Sequence, residues 1–338
     1  MLLRIIRDRT YESGYKGTRF FLASFRAAKA PNRVSRKLQR KDIIMTARRL
    51  PPWIRSCLPP ASSAGRIHRW TYARGLSTVC REAHCPNQGE CFESGTATFL
   101  ILGDTCTRNC SFCAVTHGTP DPPRPDEPDL VASSVRSLGL RFVVVTSVTR
   151  DDLPDGGAGV FAATIRAIRR ECPGVGIEVL IPDFQGSRQA LAKVIDARPD
   201  VINHNLETVP ELYPALRPEA SYERSLDLLH QVRQCGGEIV PKSGIMVGAG
   251  ETREQFLSLV RALVGVGCGV LTVGQYLQPS PRHHPVERFL PPEEFDELRE
   301  LALSEGLKGV AAGPLVRSSY SAGDVWEKLI GASTLTGP

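Results

Sequence analysis

Long apolar runs are missing from this sequence: nowhere do 18 or more such residues follow one another, so no membrane span is expected. Internal repeats and low-complexity tracts are missing too, which sets repeat arrays aside. The start lacks the charged, apolar and small-residue regions of a secretory signal, so a secreted disulfide framework is not expected. Methionine is scarce, at three residues. One of them, Met45, stands directly before "MTARRLPPWIRSCLPP", where the chain begins to read as a folded protein. A basic surplus is missing from everything after that point. Residues 1–44 hold twelve Lys and Arg against Asp8, Glu12 and Asp42, a net of +9, so the overall +6 leaves −3 for the rest. A nucleic-acid footprint needs its charge on the folded domain, and no nucleic-acid partner is expected. The basic end reads as an organellar presequence, a disordered arm, or residues ahead of the true start. The expected compartment is cytoplasmic, or the mitochondrial matrix or plastid if residues 1–44 are a transit peptide.

An α/β rhythm is present after residue 95. Short runs rich in Val, Ile and Leu cover 96–104, 141–148, 176–182, 200–207, 238–248 and 270–277, with a shorter one at 308–313. They show little alternation, as strands buried on both faces do. Helical periodicity fills four of the intervals. Phe161, Ile165 and Ile168 share a face in 157–172; Leu226, Leu229 and Val232 share one in 221–235; 252–267 and 291–306 repeat the pattern. Strand–helix units in this order predict right-handed crossovers and a parallel sheet. Six units fit an open portion of a (β/α) barrel, and a doubly wound sheet is the alternative. Polar clusters follow the runs, where barrel-type folds keep their chemistry.

Six of the ten cysteines lie in residues 80–113, in two triads: Cys80, Cys85, Cys91 and Cys106, Cys110, Cys113. Clustered thiols in a chain this size point to a reducing compartment and to metal or redox work. Cys57, Cys172, Cys235 and Cys268 are scattered, and read as buried or incidental thiols. Zinc prefers four protein ligands, and His117 stands near enough in sequence to complete the second triad. Three thiolates also suit three corners of an iron–sulfur cubane, with one iron left open. For the first triad a structural zinc knuckle is the alternative.

Cys-x3-Cys-x2-Cys with Phe112 before its last cysteine, directly after the first strand, resembles the radical S-adenosylmethionine (SAM) superfamily. That resemblance implies a [4Fe–4S] cluster on Cys106, Cys110 and Cys113, with SAM on the open iron. It also implies Asp155, Gly156 and Gly157 at the SAM ammonium, Asn203 to Glu207 at the ribose, and a glycine-rich segment around Gly248 at the adenine. Wider wording is similar to the lipoyl synthase family: "TVCREAHCPNQGECFESGTATF", "GDTCTRNCSFCAV", "TSVTRDDLPDGGA", "PDFQG", "HNLETVPEL", "GQYLQPSPRHHPV" and "AAGPLVRSSYSAG". The likeness runs from about residue 51 to 324; Phe92 stands where that family usually has Trp. It implies an auxiliary [4Fe–4S] cluster on Cys80, Cys85 and Cys91, closed by Ser319 of the RSSY motif and serving as sulfur donor. Cys106, Cys110, Cys113 and Ser319 are then the expected catalytic set. The implied reaction inserts sulfur at C6 and C8 of an octanoyl group carried on a lipoyl domain or the glycine-cleavage H protein. A ferredoxin or flavodoxin-type donor would supply electrons.

The expected architecture is a partial (β/α)6 TIM-type barrel of the radical SAM kind, with N- and C-terminal extensions covering the active-site end. Its expected segments are a basic extension (1–44), an auxiliary-cluster segment (45–95), the barrel (96–313) and a tail (314–338). Rival readings are a biotin synthase–like sulfurtransferase, against which the two-triad spacing and RSSY argue, and a non-catalytic metal-binding module.

Overall fold

In the computed structural model of the chain, the residues described are 50–56, 77–78, 96–320, 322–323 and 326–327. Both the 1–44 extension and the first triad lie outside them. The described chain opens with α1 (Pro52–Ser56), β1 (Ser77–Thr78) and β2 (Thr96–Ile101). A two-stranded pair follows, β3 (Thr105–Cys106) and β4 (Thr116–His117). Crossover units come next: α2 (Glu127–Leu138), β5 (Phe142–Ser147), α3 (Ala158–Glu171), β6 (Gly176–Leu180), α4 (Arg188–Asp196) and β7 (Val201–Asn203). The remainder is α5 (Tyr213–Leu216), α6 (Tyr222–Cys235), β8 (Val240–Val247), α7 (Arg253–Gly265), β9 (Val270–Gln275), α8 (Pro292–Ser304) and β10 (Gly309–Gly313). No helix among the described residues is long and apolar enough to cross a membrane.

The large sheet runs β1-β2-β5-β6-β7-β8-β9-β10. β1 is antiparallel to β2, and every later pair is parallel. Spatial order follows chain order throughout. A doubly wound sheet reverses its order at a switch point, and none occurs here, so the open barrel is the correct alternative.

The four predicted helices are α3, α6, α7 and α8. In α6 the buried face is Ser225, Leu228, Leu229 and Val232, with Leu226 only partly buried. Two more helices, α2 and α4, escape the pattern. α2 reads "EPDLVASSVRSL", where three serines break the apolar stripe, and one of them, Ser134, is buried with its hydroxyl on the Leu130 carbonyl. α4 has nine residues, started by Ser187, whose side chain accepts from Ala190 N.

Two strands are shorter than their apolar runs. β2 stops at Ile101 because Leu102 and Gly103 turn into positive φ, 67° and 89°. β7 is only Val201–Asn203; the chain then lifts off and touches the sheet once more, through a bridge from Glu207 to Ile245.

Outward residues of the strands pack on the helices: Val143, Val145, Ile177 and Val179 share a core with Phe161, Ile165 and Ile168. Ile245, Val247, Leu271 and Val273 share another with Phe256, Leu259 and Phe295. Alternate residues face the bore, which is buried too, and that explains the weak alternation in sequence. Its middle is polar. Glu178 on β6 accepts two bonds from Lys242 Nζ on β8, 2.9 and 2.8 Å, and one from Asn203 Nδ2 on β7, 3.0 Å. Toward the N-terminal ends of the strands the bore is apolar. Phe142, Val144 and Val201 meet Ala322 and Trp326 of the C-terminal segment, with the Phe142 and Trp326 rings 5.6 Å apart. The tail therefore turns back from β10 into the barrel.

Candidate active site

Past the C-terminal end of β2, Cys106 ends β3, and Cys110 and Cys113 lie in the loop from it to β4. That end is anchored before the loop begins. Leu102 N donates to Glu127 Oε2 at 2.8 Å, and the buried Arg150 donates to Leu102 O at 2.9 Å while pairing with Asp152. The loop is then tied to three other strand ends. Thr107 N and Oγ1 donate to Thr149 O, beyond β5. Ser111 N donates to Leu216 O and its hydroxyl to Ala215 O, beyond β7. Past β9, His283 Nε2 donates to Cys113 O at 3.0 Å, and His284 N donates to Ser111 O. His284 Nε2 also reaches Ala249 O at 2.8 Å, which joins the loop to the glycine segment after β8.

Cys106, Cys110 and Cys113 are all half-buried free thiols. Burial pushes the Cys113 thiol up to about 12. It raises Cys110 as well, against the lowering pull of the Arg217 charge. Thiolates here need a bound cation to compensate them. His117 pairs in register with Cys106 but is exposed. Among the described residues, no three His, Cys, Asp or Glu side chains gather as one metal ion would require. A cubane asks less convergence, since each thiolate meets its own iron.

The other expected residues take these places. Asp155, Gly156 and Gly157 form the turn that starts α3, with φ of 60° and 88° at the two glycines. The Asp155 carboxylate accepts from Gly157 N, Gly159 N and Lys193 Nζ. Burial works to raise its pKa, but Lys193 and the two amides hold it below the usual carboxylate range. Asn203 lies deep in the bore on Glu178. Glu207, at φ 65°, accepts from Asn205 Nδ2 at 2.9 Å, and burial raises its carboxyl against the pull of Arg217. Gly248 has φ 90°, and its amide donates to Glu251 Oε1 at 2.6 Å. Ser319 is half-buried beyond β10. Of the scattered cysteines, Cys172 and Cys268 are buried and Cys235 is exposed; Cys57 lies outside the described residues.

Sequence reasoning took in Asn205 only as part of the Asn203–Glu207 stretch and passed over Arg217. Arg217 Nη1 donates to Asn205 O and Leu206 O and to the Tyr213 hydroxyl. Yet Arg217 Nε, Asn205 Oδ1, Asn203 Oδ1 and Thr208 Oγ1 are buried without any protein partner. Buried polar atoms are rarely left so. Asn205 lies inside the quoted "NHNLE", so a signal existed; Arg217 had none.

The site joins an open thiol triad, a run of unpartnered donors and acceptors, and glycine turns at neighbouring strand ends. Residues 100–263 match the Radical SAM superfamily. A lipoyl synthase from Alkaliphilus metalliredigens is 50% identical over 284 residues, covering 84% of this chain and 98% of that protein. The chain belongs to the lipoyl synthase family. It is a radical SAM sulfurtransferase, with SAM and [4Fe–4S] clusters as its cofactors. The lipoyl synthase of Mycobacterium ulcerans is 48% identical over 302 residues, 89% of this chain and 93% of that one. Streptococcus suis SuiB bound to S-adenosylmethionine has the same fold, with a TM-score of 0.52 at 11% identity; the match covers 83% of this chain and 62% of that one. Three thiols and four orphaned polar atoms fit what the lipoyl synthase family needs: a cluster with an open corner and a polar cofactor beside it.

Proposed function

We propose that this lipoyl synthase divides its chemistry between its two triads. Cys106, Cys110 and Cys113 would hold the cluster that binds SAM. Cys80, Cys85 and Cys91, with Ser319, would hold the auxiliary cluster. When bound, SAM and its cluster supply the radical that removes hydrogen from C6 and C8 of the octanoyl chain, and the auxiliary cluster supplies the sulfur. The chain's own residues hold and orient. Asp155 to Gly157 offer acceptors to the SAM ammonium. Asn203 and Glu207 face the ribose, with Asn205 beside them, and the Gly248 turn lies by the adenine. Ser319 is a harder, weaker ligand than thiolate, which suits a cluster that is consumed. Residues 45–95 and 314–338 would be the segments that carry the auxiliary-cluster ligands.

The observation that carries this reading is the tethering of the triad loop to the ends of β5, β7 and β9 beside unpartnered polar atoms. The substrate carrier is an octanoylated lipoyl domain or H protein, and the reductant a ferredoxin or flavodoxin. The enzyme works in the cytoplasm, or in an organelle if residues 1–44 direct it there.

Two variants test the division. Cys110→Ala should release no 5′-deoxyadenosine. Ser319→Ala should still release it while losing sulfur transfer. Normal 5′-deoxyadenosine from the first, or wild-type lipoyl yield from the second, would overturn the assignment.

A further inference from the structure

The "PDFQG" turn carries no role in the reading above, and among the described residues it holds the longest run of positive φ. Phe184, Gln185 and Gly186 follow one another at φ 45°, 51° and 80°. Left-handed geometry costs a non-glycine residue roughly 1–2 kcal/mol, and such strain persists only where surroundings enforce it. Asp183 is the enforcer. Its carbonyl accepts from Gly186 N at 2.8 Å and its carboxylate from Gln185 N at 3.0 Å.

The same carboxylate, fully buried, also grips the triad loop. Arg108 stands between Cys106 and Cys110 in the chain, and its guanidinium is held by two carboxylates. Nη2 and Nη1 meet Asp183 Oδ1 and Oδ2 at 2.7 and 3.1 Å. Nε and Nη2 meet both oxygens of Asp151 at 2.6 and 3.0 Å. Arg224 adds a third contact on Asp183, at 3.1 Å. Two bidentate carboxylates on one buried guanidinium fix its plane as well as its position.

On its other side the turn meets the Asp155–Gly157 segment. Phe184 is 4% exposed, and a Cβ at Gly156 would stand 2.9 Å from its Cδ1. Gly156 therefore rests directly on the Phe184 ring, and only glycine permits that approach. Asp183 and Phe184 thus touch both segments read as SAM-binding, one through Arg108 and one through Gly156.

We propose that the Asp183–Phe184 turn is a spacer that holds the triad loop and the Asp155–Gly157 turn at one separation, so that Arg108, Asp183 and Phe184 are positioning residues for SAM. This rests on the reading that those two segments bind the cofactor. The strain is then the means by which two adjacent side chains point at two different loops.

The test is equilibrium binding of SAM to the anaerobically reconstituted full chain, with iron per chain and the apparent KM for octanoylated carrier measured on the same samples. Phe184→Ala and Asp183→Asn should each weaken SAM binding about tenfold, since misplacement by a fraction of an ångström to 1 Å costs tenfold to a hundredfold. Iron content and carrier KM should stay near wild type, and Phe184→Leu should recover much of the affinity. Asp151→Asn is the control. It removes an equal number of bonds from Arg108 but nothing from the turn, and should weaken SAM binding clearly less than Asp183→Asn does. Wild-type affinity in Phe184→Ala, or equal weakening in Asp151→Asn, would overturn the spacer. Wild-type SAM affinity in Cys110→Ala would instead overturn the underlying reading of the triad.

Discussion

Gly274 begins the "GQYLQPSPRHHPV" stretch and lies on β9, where the tail crosses the barrel. A Cβ there would overlap the Val316 carbonyl, with Val316 C at 3.1 Å and Arg317 Nη1 at 3.3 Å. Real Cβ atoms do not approach a carbonyl so closely, so Gly274→Ala must push residues 316–317 back by on the order of 1 Å. Strand β9 cannot yield instead, since it is paired on both sides, to β8 and β10. Overpacking of this kind costs about 1–3 kcal/mol, so the variant should fold with a lowered melting temperature. Val316 is three residues before Ser319. A ligand moved by about 1 Å should lose about a hundredfold in sulfur insertion, while SAM cleavage, which does not use Ser319 in the proposed division, should fall far less. Gly313→Ala is the matched control, because its Cβ would meet only the Val316 Cγ2 methyl, at 3.3 Å, and a side chain can turn aside. Both products, 5′-deoxyadenosine and lipoyl carrier, are to be quantified from the same anaerobic reactions. Wild-type lipoyl per SAM cleaved in Gly274→Ala, with unchanged stability, would refute the placement of the tail.

Lys242→Met leaves the buried Glu178 carboxylate with only Asn203, and should cost about 3–5 kcal/mol in urea unfolding; a loss under about 1 kcal/mol would mean the bore is wet. His204 is buried between Ile181 O and Ser225 Oγ, and burial, helped by the Arg217 charge, lowers its pKa to about 4. The unfolded chain takes up a proton near 6.5 that the folded one refuses, so stability should fall as pH drops, by about 2 kcal/mol at pH 5. His204→Asn should flatten that fall between pH 7 and 5, and an unchanged slope would refute it. A chain starting at Met45 should reconstitute both clusters and turn over, because residues 1–44 carry none of the proposed ligands; cluster loss on truncation would place them in the site.

What the sequence discloses here depends on separation along the chain. Cys106, Cys110 and Cys113 lie within one loop, and Asp155 to Gly157 within one turn, so local spacing alone brings them to notice. The Arg108–Asp183 pair spans 75 residues, and no spacing rule reaches it. The strands show in the sequence as apolar runs, but nothing there links Glu178 in "GIEVLIP" to Lys242 in "VPKSGIMV". They are one ion pair, made when β6 and β8 turn the same face to the bore. β7 shows the opposite error: "DVINHNLE" reads as eight residues of strand, yet the strand ends at Asn203; His204 N still donates to Lys242 O, and the chain next pairs with β8 only at Glu207. The return of the tail through Trp326 to Phe142 could not be read at all, since nothing in either stretch marks the other.

The central claim is that this chain places sulfur on an octanoyl group. Mass spectrometry of an octanoylated lipoyl domain, after anaerobic reaction with the reconstituted chain, SAM and a one-electron reductant, tests it most directly. The account predicts a carrier heavier by two sulfurs, released as the dithiol under these reducing conditions and formed only when all six triad cysteines are present. A carrier that remains octanoylated while SAM is cleaved and iron and sulfide are at full loading would contradict it.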